Sequence, residues 1–190
     1  LFHERCRRIL DELHDARATM QAAAEAPRGR LRVSLPTIGY RFLLPVLPEF
    51  QALYPEVDLD LDFNDHLVDV VEAGLDVVIR SGELADSRLV ARRLGPFRFI
   101  LAGSPDYLAA RGIPQSPAEL AQHSCLRYRF LSSGKLEEWV LPGMPPHLPA
   151  ALVCNNMEAM LGAAVAGMGL AYMPDFLARD ALGRGELQRV

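Results

Sequence analysis

The stretch from Gly29 to Phe63, GRLRVSLPTIGYRFLLPVLPEFQALYPEVDLDLDF, leaves the chain few folds to choose from. Leu31, Val33 and Leu35 alternate with Arg32 and Ser34, the period-two pattern of a strand. Beyond Pro36 the pattern changes to Leu43, Leu47, Phe50 and Tyr54, which share one helical face. Pro55 stops that helix, because the residue before a proline is pushed out of helical angles. Pro45 and Pro48 fall inside it, and an interior proline costs about 3 kcal/mol together with a hydrogen bond. Either regular helix begins near Leu44 or the helix is kinked there. Val57, Leu59, Leu61 and Phe63 then alternate with Asp58, Asp60 and Asp62 to give a second strand. A strand–helix–strand unit of this kind places the chain in the α/β class. It also leaves Thr37-Ile38-Gly39 at the carboxyl end of the first strand, where open α/β sheets hold their ligands.

The rest of the chain continues the alternation. Leu67, Val70 and Val71 mark a short helix ending at Gly74, and residues 76–80 (DVVIR) read as a strand buried on both faces of a parallel sheet. Residues 89–94 and 97–101 give two more strands, and Ala102-Gly103-Ser104-Pro105 is the expected crossover to a second lobe. Pro105 opens a helix, and Ser116-Pro117-Ala118-Glu119 has the spacing of a capping box. Residues 126–130, 139–141 and 150–153 read as strands, with a polar turn at 132–135 and a Pro-rich loop at 142–149. Asn155 or Asn156 caps a helix over 157–165, residues 169–173 form a strand, 174–181 a helix, and 187–190 a last strand.

Ahead of Gly29 stands a different pattern. Phe2, Cys6, Ile9, Leu13, Ala16, Met20 and Ala23 step by alternating four and three residues, an a/d seam with charged residues on the other faces. A stripe so narrow needs a partner helix or a domain to lie on. The break at Pro27-Arg28-Gly29 detaches the helix from the following strand and favours a coiled coil over a helix lying on its own domain.

Composition removes several function classes. A net charge of −4 without a basic cluster argues against this chain being itself a nucleic-acid-binding module. No apolar run approaches the roughly 18–20 residues of a membrane span. The chain opens with no secretion signal, and three widely spaced cysteines fit reduced thiols in the cytoplasm. No nucleophile elbow, P-loop, dinucleotide fingerprint or HExxH occurs, so no enzyme activity is expected and no cofactor is implied. His123-x-Cys125 has no second ligand pair at zinc spacing and reads as structural.

Taken in order, GxLRVS…G…LLP…F…YPxVxLxL, LDVVIRSGELADSRLVARRL, SPDYLAARGIPQSPAELAQHSCL and NNMEAMLGAAVAGMGLAYMP resemble the effector-binding domain of LysR-type transcriptional regulators over nearly all of residues 29–190. The resemblance implies two Rossmann-like subdomains of the type II periplasmic-binding-protein kind, preceded by a long amino-terminal linker helix. On that reading residues 1–28 are the linker and dimerisation helix, with Phe2, Cys6, Ile9, Leu13, Ala16 and Met20 as its contact seam. Residues 29–103 form subdomain I, without the strand and helix the family adds last, and 104–190 form subdomain II. It further implies a cytoplasmic homodimer or homotetramer that senses a small organic effector, carboxylate or aromatic, between the subdomains. DNA is then reached through a winged helix-turn-helix outside this chain.

The effector residues follow from strand ends and helix starts. Thr37, Ile38 and Gly39 offer free N–H groups and a hydroxyl at a helix start, an anion site, although Thr37 also has the chemistry of a plain cap. Arg80, with Ser81 and Gly82, ends a strand and either clamps a carboxylate or pairs with one of Asp58, Asp60, Asp62 or Asp65. Arg129 is its counterpart in the second lobe; it shares a strand face with Arg127, Tyr128 taking the other. Asn155 and Asn156 mirror Thr37. Phe63, Asn64 and His66 stand at a second strand end, with Leu101 and Phe130 as apolar contacts. A solute-binding protein with the same clamp is the alternative reading; an enzyme on the same scaffold or a purely structural oligomerisation module also remains open.

Overall fold

In a computed structural model the described residues are 27–66, 70–82, 89–145 and 147–190. The seam from Phe2 to Ala23 and the helix start at Leu67 lie outside them. Two units emerge. The smaller comprises residues 27–34, 42–62 and 70–79, and the larger residues 35–41, 63–66 and the described part of 80–190.

The first three strands are β1 (Gly29–Leu35), β2 (Val57–Phe63) and β3 (Val77–Val78), in the order β2-β1-β3. β3 runs parallel to β1, with Val33 opposite Val77. The strand expected over 76–80 shrinks to two residues and is not buried on both faces, since Val77 is 43% exposed. The helix expected between β1 and β2 is broken into pieces. A 3-10 turn at Thr37–Gly39 leads into α1 (Tyr40–Leu43), a second 3-10 turn at Leu44–Val46, and α2 (Leu47–Leu53). Proline explains the break. Pro45 sits in the turn where a tight i+3 pattern replaces the bonds it cannot make, and Pro48 lies in the first turn of α2, where its missing N–H is not needed.

Five strands form the other sheet. They are β4 (Phe99–Gly103), β5 (Cys125–Tyr128), β6 (Ala150–Cys154), β7 (Leu170–Pro174) and β8 (Gln188–Arg189), in the order β6-β5-β7-β4-β8. β5 is parallel to β6 and β7, whereas β4 is antiparallel to β7 and β8. The passage between sheets therefore occurs before Phe99, upstream of the Ala102–Pro105 expected from sequence. Residues 89–94 form no strand. Leu89, Val90 and Leu94 suggest one, but Val90 is fully exposed, and an extended run persists as a strand only where a neighbouring backbone completes its ladder. Residues 139–141 form none either, because the Leu141 N–H turns back to the Trp139 carbonyl at 3.1 Å.

Helices α3 (Pro105–Arg111), α4 (Met157–Val165) and α5 (Asp175–Gly183) accompany this sheet. The Ser104 side chain accepts from the Tyr107 N–H to start α3. The Ser116 box is not realised. Its hydroxyl donates to Glu119, which leaves a 3-10 segment at Pro117–Gln122. α4 ends in a Schellman turn, in which Gly167 donates to Ala164 and Met168 to Ala163. Gly167 has a φ of +77°, a conformation that strains any residue with a side chain.

β5 is buried along its whole length, with successive residues facing opposite cores. Leu126 and Tyr128 join Met160, Ala164, Met173 and Leu177 under α4 and α5. Cys125 joins Leu101, Tyr107, Leu120, Trp139, Leu148, Leu170 and Tyr172 on the other side. A fully buried Leu or Met contributes about 1.5–3 kcal/mol. β7 begins tight against the chain before β5: a Cβ on Gly169 would collide with the Ser124 carbonyl. Gly169→Ala should lower stability by about 1–3 kcal/mol in urea unfolding, and an unchanged midpoint would show that the backbone there yields freely.

Candidate functional site

The carboxyl ends of β1, β2 and β3 deliver three short segments that hydrogen bonds tie together within the larger unit. The Thr37 N–H and hydroxyl both donate to Asp65, at 3.0 Å to Oδ1 and 2.7 Å to Oδ2. The Asn64 N–H donates to the Leu35 carbonyl, the His66 N–H to Asn64 Oδ1, and Arg80 Nη2 to the His66 carbonyl at 3.2 Å. Thr37, Asn64, His66 and Arg80, spread over more than forty residues of sequence, are thereby gathered into one cluster. Phe63 meets the Tyr40 ring edge-on at 6.5 Å.

This geometry corrects the expected role of Thr37. Its hydroxyl caps no helix, and the helix start there is only a three-residue 3-10 turn. The seat expected to receive an acidic ligand is filled by the chain's own Asp65. Asp65 was read from sequence only as a potential partner of Arg80. Gly39 is buried because its missing side chain admits Leu35, 2.8 Å from where a Cβ would stand.

The second set of residues adjoins the first. Asn156, not Asn155, caps α4, its Oδ1 accepting from the Ala159 N–H at 2.9 Å. The Arg129 N–H donates to the Cys154 carbonyl, so Arg129 stands beside the strand end that leads into Asn155 and Asn156. Its side chain is exposed, and Phe130 meets Tyr128 edge-on at 5.3 Å. Ile38 packs on the core that contains Tyr128 and Met157. Burial, reinforced by the Asp65 charge, lifts the Tyr128 hydroxyl to about 12, so it remains an un-ionised donor. Arg127 and Tyr128 were expected to compete for one inward face, but the sheet is covered on both sides and buries each of them. Leu101 belongs elsewhere, packed in the opposite core. Ser81 and Gly82 are exposed.

Sequence reasoning missed the strongest electrostatic contact beside this cluster. Arg41 grips Glu158 with two 2.7 Å bonds, from Nε to Oε1 and from Nη2 to Oε2, while Tyr40 donates its hydroxyl to the same carboxylate at 2.9 Å. Asp180 adds a 3.5 Å contact to Arg41. Glu158 also sits in the first turn of α4, where a negative charge is favoured. The only sequence signal was Arg41, a lone cation within the otherwise uncharged stretch 33–48; its partner lies 117 residues away.

The cysteine and histidine readings are structural. His123 Nδ1 lies 3.1 Å from the Tyr107 hydroxyl, which itself accepts from the Ser124 N–H. Burial pushes the Cys125 thiol up to about 11, out of the reactive range. Among the described residues no cluster of His, Cys, Asp or Glu could hold a metal ion. No helix among them is long and apolar enough to cross a membrane. The two cavities best defined are surface hollows of about 390 Å³, one beside Asp175, Arg179 and Arg189, the other beside Tyr107, Arg111 and Met168. Neither includes a residue of the strand-end cluster.

Residues 24–190 match the LysR substrate binding domain family model. The chain belongs to the LysR-type regulator family. An HTH-type transcriptional regulator of Haemophilus influenzae is 33% identical over 192 residues, 98% of this chain and 66% of that protein. CrgA, an HTH-type transcriptional regulator of Neisseria meningitidis, is 35% identical over 191 residues, 98% of this chain and 63% of that protein. The chain thus spans about two thirds or less of these relatives. The solved CrgA regulatory domain superposes with a TM-score of 0.76 at 32% identity, covering 86% of this chain and 81% of that one. The two sheets are accordingly those of a LysR regulatory domain of the periplasmic-binding-protein-like type.

The Arg41–Glu158 contact yields a pH prediction. The Arg41 hydrogen bonds hold Glu158 below the ordinary 4.5, outweighing its partial burial. A carboxyl lowered on folding stabilises fully above its unfolded value and loses that contribution as pH falls through its folded one. Glu158→Gln should therefore cost about 1–3 kcal/mol at neutral pH, and the gap to the unsubstituted domain should close on acidification. A gap that stays constant in urea titrations at both pH values would show that the ion pair contributes nothing.

Proposed function

We propose that this chain is the effector-sensing part of a LysR-type transcription factor, and that it binds a small organic effector, carboxylate or aromatic, over the strand-end cluster of the larger unit. The observation that supports this reading is the convergence of Thr37, Asn64, Asp65 and Arg80 from three separate strand ends. Ligands of α/β sheets bind at that end. Arg80 and Arg129 supply cations for an acidic group, Asp65 an acceptor for a hydroxyl or amine, and Tyr40, Phe63 and Phe130 flat apolar faces. The role is binding, not catalysis, in a cytoplasmic protein. Occupancy acts by favouring one arrangement of the protein over another, and only in proportion to its differential affinity for the two. A coupling of about 1–3 kcal/mol is typical. The change passes through pairing of the Phe2–Met20 seam, in a homodimer or homotetramer, to a DNA-binding domain outside this chain.

A thermal-shift screen of small carboxylates and aromatic acids against the domain tests the reading, followed by calorimetry on the compound that raises the melting temperature most. Thr37→Val removes one of the two Asp65 bonds without changing side-chain volume and should weaken that compound about tenfold, the equivalent of 1.4 kcal/mol. Equal affinity for both proteins would place the effector elsewhere. Leu13→Asp puts a charge on the seam, and sedimentation should show the oligomer falling to monomer; an unchanged mass would reject pairing through this helix.

A further inference from the structure

On the side of β5 away from α4, no protein group bonds three buried polar atoms: Arg127 Nε, Glu137 Oε2 and Trp139 Nε1. Their residues are only 9%, 8% and 5% exposed. The Arg127 guanidinium lies over the Trp139 ring, 5.7 Å from its centroid, and Nη2 donates to the Glu137 carbonyl at 2.7 Å. The cation is thus spent on the main chain of Glu137 while the carboxyl Oε2 stays unbonded. Trp139 in turn faces Tyr172 with ring centroids 5.8 Å apart.

These groups sit on a segment with an uneven hold. Its first part is tied to β5 by the Glu137 N–H to the Tyr128 carbonyl and by the Arg129–Leu136 bridge. Beyond that the described residues form no strand until Ala150, and the segment is seated by burial of Trp139 and Leu148 and by a hydrogen bond between the Val140 backbone and the Tyr172 hydroxyl. Glu137 and Trp139 point inward, Glu138 and Val140 outward. An apolar side chain at Glu137 would simply complete that pattern. A carboxyl there has a second property, because its neutral form suits the place and its charged form does not.

We propose that the segment carrying Glu137, Trp139 and Leu148 is a proton-operated flap, lying on β5 and β7 while Glu137 is protonated and lifting off when Glu137 releases its proton to solvent. Lifting uncovers Leu101, Cys125 and Tyr172. The titratable groups on the same side of the sheet as Glu137 are Arg127 and Cys125 from β5 and Tyr172 from β7. Tyr128 lies on the opposite side of β5 and is reached only by the charge of Glu137, and Glu138, next in the chain, is exposed. Both tyrosines are raised by burial and stay neutral, so Arg127 and Glu137 carry the charge. Burial lifts the docked carboxyl from 4.5 to about 7, against the pull of Arg127. The sign follows. A group raised on docking favours the docked form at low pH, and that advantage is lost as pH climbs from its undocked to its docked value. The ratio of lifted to docked flap should grow on the order of 100-fold across that window and level off above it.

Trp139 is the only tryptophan in the chain, so its emission reads the flap directly. Between about pH 5 and pH 8 its maximum should move reversibly to the red and acrylamide quenching should rise several-fold, with the far-ultraviolet circular dichroism unchanged. Glu137→Gln, neutral at every pH, should hold Trp139 protected throughout. Emission that is constant with pH in the unsubstituted chain, or a transition that survives in Glu137→Gln, would overturn the proposal. Should that variant not fold, hydrogen exchange on the unsubstituted chain decides, after correction for intrinsic rates. Amides of residues 138–145 should lose protection at the higher pH while β5 and β7 keep theirs, and equal protection at both pH values would overturn the proposal.

Discussion

The larger unit depends on β5 being buried on both faces. A strand with a core on each side must place apolar groups at every position or find partners for the polar ones. β5 does both. Cys125, Leu126 and Tyr128 fill the two cores, and Arg127 is accommodated by reaching across to the Glu137 main chain and lying on Trp139. That accommodation fixes where the segment after β5 runs. The carboxyl end of the same strand places Arg129 and Phe130 next to the start of α4. One strand therefore sets both the polar cluster on one side and the approach to the candidate effector site on the other.

The proposed site is a balance of charges already paired. Asp65 occupies the donors of Thr37, and Arg41 with Tyr40 occupies Glu158. On the proposed reading an effector would compete with, or add to, hydrogen bonds that exist without it. Binding of this kind can exchange one set of contacts for another, and a sensor needs that difference between states to report anything.

Much of this was legible in the sequence, for identifiable reasons. β1 and β2 have strict period-two alternation, and α4 has an Asn cap and a glycine after its end, so local pattern and final structure agree. The family resemblance rested on motifs spread through residues 29–190, and the family model, the relatives and the solved structures place the chain in the same family. What failed was whatever local pattern does not determine. The run 89–94 was expected to be a strand but builds none, and the capping-box spacing at Ser116 was spent on a side-chain bond instead. Pro45 and Pro48 signalled a break without saying that the helix would become four short pieces. Leu101 looked like a pocket contact because it ended an expected strand, but the strand runs on to Gly103 and turns Leu101 into the core. Asp65 and Glu158 were invisible as site residues because their partners lie 28 and 117 residues away.

The central claim is that an effector engages the strand ends gathered around Thr37 and Asp65. Hydrogen exchange of the domain, with and without the compound that most raises its melting temperature, tests it most directly. Protection should concentrate in residues 35–41 and 63–66 and in the stretch from Cys154 into the first turn of α4. Protection confined to other surfaces, such as those around Tyr107 or Arg179, would contradict the account.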